Sequence, residues 1–81
     1  MTEKDVCIKS SLDARAAAFF VQTAGKFESD ISVIAEEKKI NAKSIMGTIA
    51  LGMVEGKSVT IRANGADEAV AVEELAALLS K

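Results

Sequence analysis

The chain has no histidine and only one cysteine among its 81 residues. Without an imidazole, and with Cys7 as the single thiol, it lacks the ligands of a transition-metal site and cannot form an internal disulfide. Cys7 reads as a small strand residue, buried and inert, as isolated cysteines usually are. No apolar run approaches the ~20 residues that span a bilayer. The polar opening Met1-Thr2-Glu3-Lys4-Asp5 also lacks the hydrophobic stretch of a secretory signal, so a cytoplasmic location is expected. There is no basic block either: ten Lys and Arg against twelve Asp and Glu leave a net charge of -2. A direct nucleic-acid binder would need clustered cations for its phosphate contacts. With no linker, low-complexity tract or internal repeat, residues 1–81 are expected to fold as one domain around one modest core.

What is present is periodicity. Val6 and Ile8 alternate with Cys7 and Lys9 as a short first strand, broken by Ser10-Ser11. From Ala14 the period lengthens: Ala17, Phe20, Val21 and Ala24 share a helix face, Asp13 stands at the N-cap, and the helix ends near Gly25 or Lys26. Ile31, Val33 and Ala35 mark a second strand. Glu37-Lys38-Lys39 reads as a polar turn into a third strand around Ile40 and Asn41. Ser44 caps a brief second helix through about Leu51, stopped by Gly52. Gly56-Lys57 opens a fourth strand with Val59, Ile61 and Ala63 on one face, and Asn64-Gly65 signals a turn. A last helix places Ala69, Val72, Leu75, Ala76 and Leu79 on one face, with Asp67 and Glu68 at the positive end of its dipole and Lys81 at the other. The order strand-helix-strand-strand-helix-strand-helix predicts an α+β domain, a four-stranded antiparallel sheet with three helices on one face.

Two segments carry a resemblance across the whole chain: Leu12-Asp13-Ala14-Arg15-Ala16-Ala17 and Asn41-Ala42-Lys43-Ser44-Ile45-Met46-Gly47. Together they resemble HPr, the histidine-containing phosphocarrier of the bacterial sugar phosphotransferase system, and imply its open-faced two-layer sandwich. The variant resembled is the Crh-like one, which lacks the phosphoacceptor histidine. In the family the position of Asp13 carries the imidazole that accepts a phosphoryl group at a helix N-terminus, with the arginine, here Arg15, steadying the oxygens. Crh-like proteins are expected to carry glutamine there, so Asp13 departs from that group too.

Ala16 stands where the family has proline. If Asp13 is the N-cap, Ala16 is the N3 residue whose N–H an aspartate captures, a donor that proline lacks. Three readings of Asp13 stay open: a structural cap, a constitutive charge imitating the phosphorylated carrier, and an acyl-phosphate acceptor. As a mimic it brings one charge where a phosphoryl group brings about 1.5 to 2. Arg15 reads either as an anion or partner contact or as a solvated first-turn residue.

The second segment keeps the form typical of low-GC Gram-positive HPr proteins. The resemblance implies that Ser44 is phosphorylated by an ATP-dependent HPr kinase/phosphorylase and that the modified protein then serves a DNA-binding catabolite control regulator as corepressor. Enzyme I and other phosphotransferase-system proteins are the further partners it implies. Ile45 and Ile49 share one helix face, while Met46 and Ala50 form the next stripe. One stripe is expected in the core and the other as a docking patch beside Ser44. The resulting expectation is a non-enzymatic regulatory protein without cofactor or metal, with Ser44 modified and Arg15, Ile45, Met46 and Ile49 meeting partners. A relay carrier using Asp13, or an unmodified decoy of HPr partners, are the alternatives.

Overall fold

A computed structural model describes residues 1–9, 11–35, 38–52 and 54–80, with Ile45 and Leu51 described by backbone alone. The elements follow the expected order: β1 (Thr2–Cys7), α1 (Ala14–Gly25), β2 (Asp30–Ala35), β3 (Lys38–Asn41), α2 (Ile45–Leu51), β4 (Ser58–Asn64) and α3 (Glu68–Leu79). The strands form one sheet in the order β1-β4-β2-β3, every neighbouring pair antiparallel.

Alternation decides which face is covered. Ile31, Val33 and Ala35 of β2 and Val59, Ile61 and Ala63 of β4 are buried, while Ser32, Ile34, Thr60 and Arg62 point to the opposite, uncovered face and are half-buried. Ile61 lies opposite Val33, and Val59 opposite Val6, so the apolar rows run across the sheet. On them pack Phe20 and Ala24 of α1 and Ala71, Val72, Leu75, Ala76 and Leu79 of α3. Burying a side chain such as Phe20, 1 % exposed, contributes about 2–3 kcal/mol.

Four local expectations need correction. β1 ends before Ile8, which is buried beyond the strand and bonded to the 56–57 turn (Ile8 N–H to Lys57 O, 2.9 Å; Gly56 N–H to Ile8 O, 2.8 Å). Cys7 is exposed rather than buried, because β1 is an edge strand and Cys7 lies one residue past the inward-facing Val6. Lys38 and Lys39 belong to β3 rather than to a turn, and Glu37 lies outside the described residues; charged residues are common on edge strands, where they discourage pairing with another chain. In α3, Ala69 is exposed and Ala71 takes its place, one turn before Leu75 and two before Leu79. Lys81 lies outside the described residues.

The start of α3 is a junction of three chain segments. Asp67 occupies the N-cap position but makes no side-chain cap bond. Its carboxylate accepts instead from Glu28 N–H (2.9 Å), Ser29 N–H (3.0 Å) and Ser29 Oγ (2.5 Å). The next carboxylate, Glu68, accepts from Thr2 Oγ1 (2.5 Å) and Gly65 N–H (3.3 Å) and pairs with the N-terminal ammonium (2.9 Å). The Ser29 hydroxyl first, and the Glu28 N–H after it, hold Asp67 below the usual carboxylate range. Glu68 is drawn from 4.5 to about 2, chiefly by the Thr2 hydroxyl and then by the N-terminal ammonium. Gly65 makes the close approach possible: a Cβ there would lie 2.6 Å from Ser29 Cα.

Candidate functional site

Asp13 caps α1. With extended backbone (φ -78°, ψ -177°), its Oδ1 accepts Ala16 N–H at 2.8 Å, while its carbonyl takes Ala17 N–H at 2.9 Å. The donor that the alanine supplies is therefore used. Arg15 follows in the exposed first turn and pairs with no carboxylate among the described residues. No group of three or more His, Cys, Asp or Glu able to hold a metal ion is found among the described residues. Metal-assisted transfer to Asp13 would need a different source of ligands.

The approach to Ser44 is fixed by the turn before it. Asn41 accepts Lys43 N–H on its side-chain oxygen (2.8 Å) and Ser44 N–H on its carbonyl (3.0 Å), an Asx turn nested in a β-turn. Buried Ala42 donates its N–H to Ile31 O (2.9 Å), and Lys43 Nζ reaches the Phe27 carbonyl (2.8 Å). Ser44 then turns extended (φ -104°, ψ 115°), and its Oγ accepts Gly47 N–H at 3.2 Å as the cap of α2. Its carbonyl receives both the N–H (3.0 Å) and the hydroxyl (2.9 Å) of Thr48. Eight residues on, Gly52 closes α2 in the left-handed region (φ 73°), donating to Ile49 O at 3.1 Å.

The two-stripe expectation for α2 fails in one respect. Met46 is 78 % exposed and Ile49 57 % exposed, and Ala50 faces solvent too. Thr48 is the buried side chain of this helix among those described, so the core is met by a small hydroxyl residue whose O–H is satisfied by Ser44. The side chains of Ile45 and Leu51, and Met53 altogether, lie outside the described residues. Ile49 thus joins Met46 on an open apolar surface, and neither stripe sends a described large side chain into the core.

The helices α1 and α2 lie side by side and run in opposite directions. The first turns of α1 meet the last turn of α2 across a shallow cavity of ≈ 170 Å³, lined by Leu12, Ala14, Ala17, Thr48, Ile49, Gly52 and Val54. At the other end, Lys43 ahead of α2 bonds to Phe27 just past α1. The structure therefore brings Ile49 to the Asp13–Arg15 end, whereas Ser44 stands at the far end of the pair. A bond from Glu55 N–H to Ser11 Oγ (2.9 Å) joins the two loops at the cavity end. The roles of Asn41 and Lys43 were not foreseen; an asparagine two residues before the bonded N–H is a local signal for the first, and nothing local announces the second.

A sequence model of the family described as "PTS HPr component phosphorylation site" matches residues 2–81. The HPr-like protein Crh of Bacillus subtilis (strain 168) is 47 % identical over 77 residues, which cover 95 % of this chain and 91 % of that protein. A phosphocarrier protein HPr from Bacillus anthracis str. Ames superposes with a TM-score of 0.94 at 41 % identity, over 98 % of this chain and 96 % of the other. The crystal structure of Bacillus subtilis Crh, a domain-swapped intertwined dimer, is similar with a TM-score of 0.79 at 46 % identity, over 98 % and 91 %. In sequence along nearly its full length, and in the order and packing of its elements, the chain belongs to the HPr family of the phosphotransferase system as a Crh-like member that holds no histidine.

Proposed function

We propose that this chain is a regulatory binding protein of carbon catabolite control, switched by phosphorylation of Ser44, and that it ferries no phosphate to sugar permeases. The observation that carries the reading is the contrast between two side chains. Ser44 Oγ is partly exposed at the start of a helix whose Met46 and Ile49 are open to solvent, while the carboxylate at the carrier position is engaged in capping its own helix.

A phosphoryl group on Ser44 adds about 1.5 to 2 negative charges next to N–H groups at the positive end of α2, so the domain accommodates it without refolding. The kinase/phosphorylase approaches over Met46 and Ile49. The catabolite control regulator then reads the phosphate with basic side chains and rests on the same apolar surface. Any contact with enzyme I or other phosphotransferase-system proteins is non-transferring, because the Asp13 carboxylate at the carrier position is engaged as the cap of its own helix. The protein acts in the cytoplasm, alongside the transport proteins whose state it reports.

Two parallel labelling reactions test the reading. Incubation with ATP and HPr kinase/phosphorylase should give acid-stable label that maps to Ser44 and vanishes in Ser44→Ala. Incubation with phosphoenolpyruvate and enzyme I should give none; hydroxylamine-sensitive label on Asp13 would replace the proposal with a relay role. Regulator binding that is the same for parent and Ser44→Ala would point to an unmodified decoy.

A further inference from the structure

We infer that Lys43 is a positioning residue for Ser44: tied to the Phe27 carbonyl, it anchors the turn that presents the serine and is kept from neutralising a phosphoryl group there. The inference rests on the reading of Ser44 as the modified residue and adds to it which charge is left for the partner. Three observations support it. The ammonium donates to Phe27 O at 2.8 Å in a half-buried setting, sixteen residues back in the chain. It pairs with no carboxylate among the described residues, so this carbonyl is its described anchor. And the Ser44 hydroxyl is turned onto α2, where it accepts Gly47 N–H, while the Lys43 ammonium is turned onto Phe27 just past α1.

Swinging Lys43 onto a phosphoserine would break a charge-assisted hydrogen bond and strip the carbonyl of a 9 %-exposed residue of its donor. It would also loosen the turn that Asn41 and Ala42 hold from the other side. The phosphate charge is therefore met by α2 backbone N–H groups and remains readable by a partner's cation. The adjacent lysine instead holds the turn that presents the serine.

The test uses the intact chain with phosphoserine installed at position 44 during translation, so that it needs no kinase. Lys43→Met keeps the stem and removes the donor, and Lys43→Arg restores one. In a 31P titration, parent and Lys43→Met should share the second phosphate ionisation, near the usual value of about 6, to within about 0.2 unit. A rise of about half a unit or more in Lys43→Met would show that Lys43 pairs with the phosphate and would overturn the inference. With unmodified protein at a temperature where every variant is folded, kcat/KM for Ser44 phosphorylation should fall about tenfold in Lys43→Met and recover in Lys43→Arg. A purely structural strut would lower the melting temperature and leave that rate unchanged, which also overturns the inference. If the kinase fails to label the parent protein, the proposed function falls, while the 31P comparison still decides the tether.

Discussion

Two aspartates, Asp13 and Asp67, occupy the same position relative to their helices and do different work. Asp13 bonds to its own helix, three residues ahead, from an exposed site. The Asp67 side chain makes no cap bond to its own helix and gathers three donors from a segment 38 and 39 residues away, among them the hydroxyl of Ser29, which is fully buried. The first is a local cap whose loss is felt locally. The second joins the loop before β2 to the turn after β4, so its loss leaves donors stranded in a closed junction. An aspartate engaged as Asp13 is engaged can replace a reactive side chain without disturbing the fold.

The largest effect is expected at the floor of the Asp67 junction. Gly65→Ala drives a methyl into Ser29 backbone at 2.6 Å and should cost about 3 kcal/mol, measured by chemical denaturation. Next, Asp67→Ala should lower the melting temperature well beyond Asp13→Ala; equal losses would erase the distinction between the two aspartates. Asp13→Ala should itself cost about 1 kcal/mol. Ala16→Pro, which removes the N–H that donates to Asp13, should cost a similar amount, and the double variant little more than either alone, a coupling of about 1 kcal/mol in a double-mutant cycle. Additive losses would mean that the carboxylate and that N–H do not depend on one another.

The smallest effect is electrostatic. Asp67 and Glu68 titrate below their ordinary ranges when folded, Glu68 at about 2 instead of 4.5. Groups depressed in this way stabilise the fold above their unfolded values, and that contribution is lost as pH falls from about 4.5 toward about 2. Thr2→Ala removes the main cause for Glu68, so the parent's excess stability over this variant should shrink across that window and be constant above it, as read from melting temperatures at stepped pH.

Much of the fold was legible because its signals are local. The bounds of α1 and α2 follow from Asp13, Ser44 and Gly52, and the alternation in β2 and β4 assigns their faces without ambiguity. The failures have physical reasons. α3 is so rich in alanine and valine that its apolar stripe had several solutions, and Ala69 was placed where Ala71 belongs. Lys38 and Lys39 carry turn-like polarity because they lie on a sheet edge. One stripe of the second helix was expected in the core and the other as a docking patch, yet the helix is short and turns only Thr48 inward among its described side chains. Lys43 and Asp67 find partners 16 to 39 residues away, and no window of sequence contains both ends of such a bond.

The most direct measurement is phosphopeptide mass spectrometry of the protein recovered from cells shifted between a preferred and a poor carbon source, with parent and Ser44→Ala expressed in parallel. The account predicts a phosphate on the peptide holding Ser44, rising with the preferred sugar, and an unmodified Asp13 peptide under both conditions when spectra are taken under acyl-phosphate-preserving conditions. A phosphorylated Asp13 together with a bare Ser44 would contradict it.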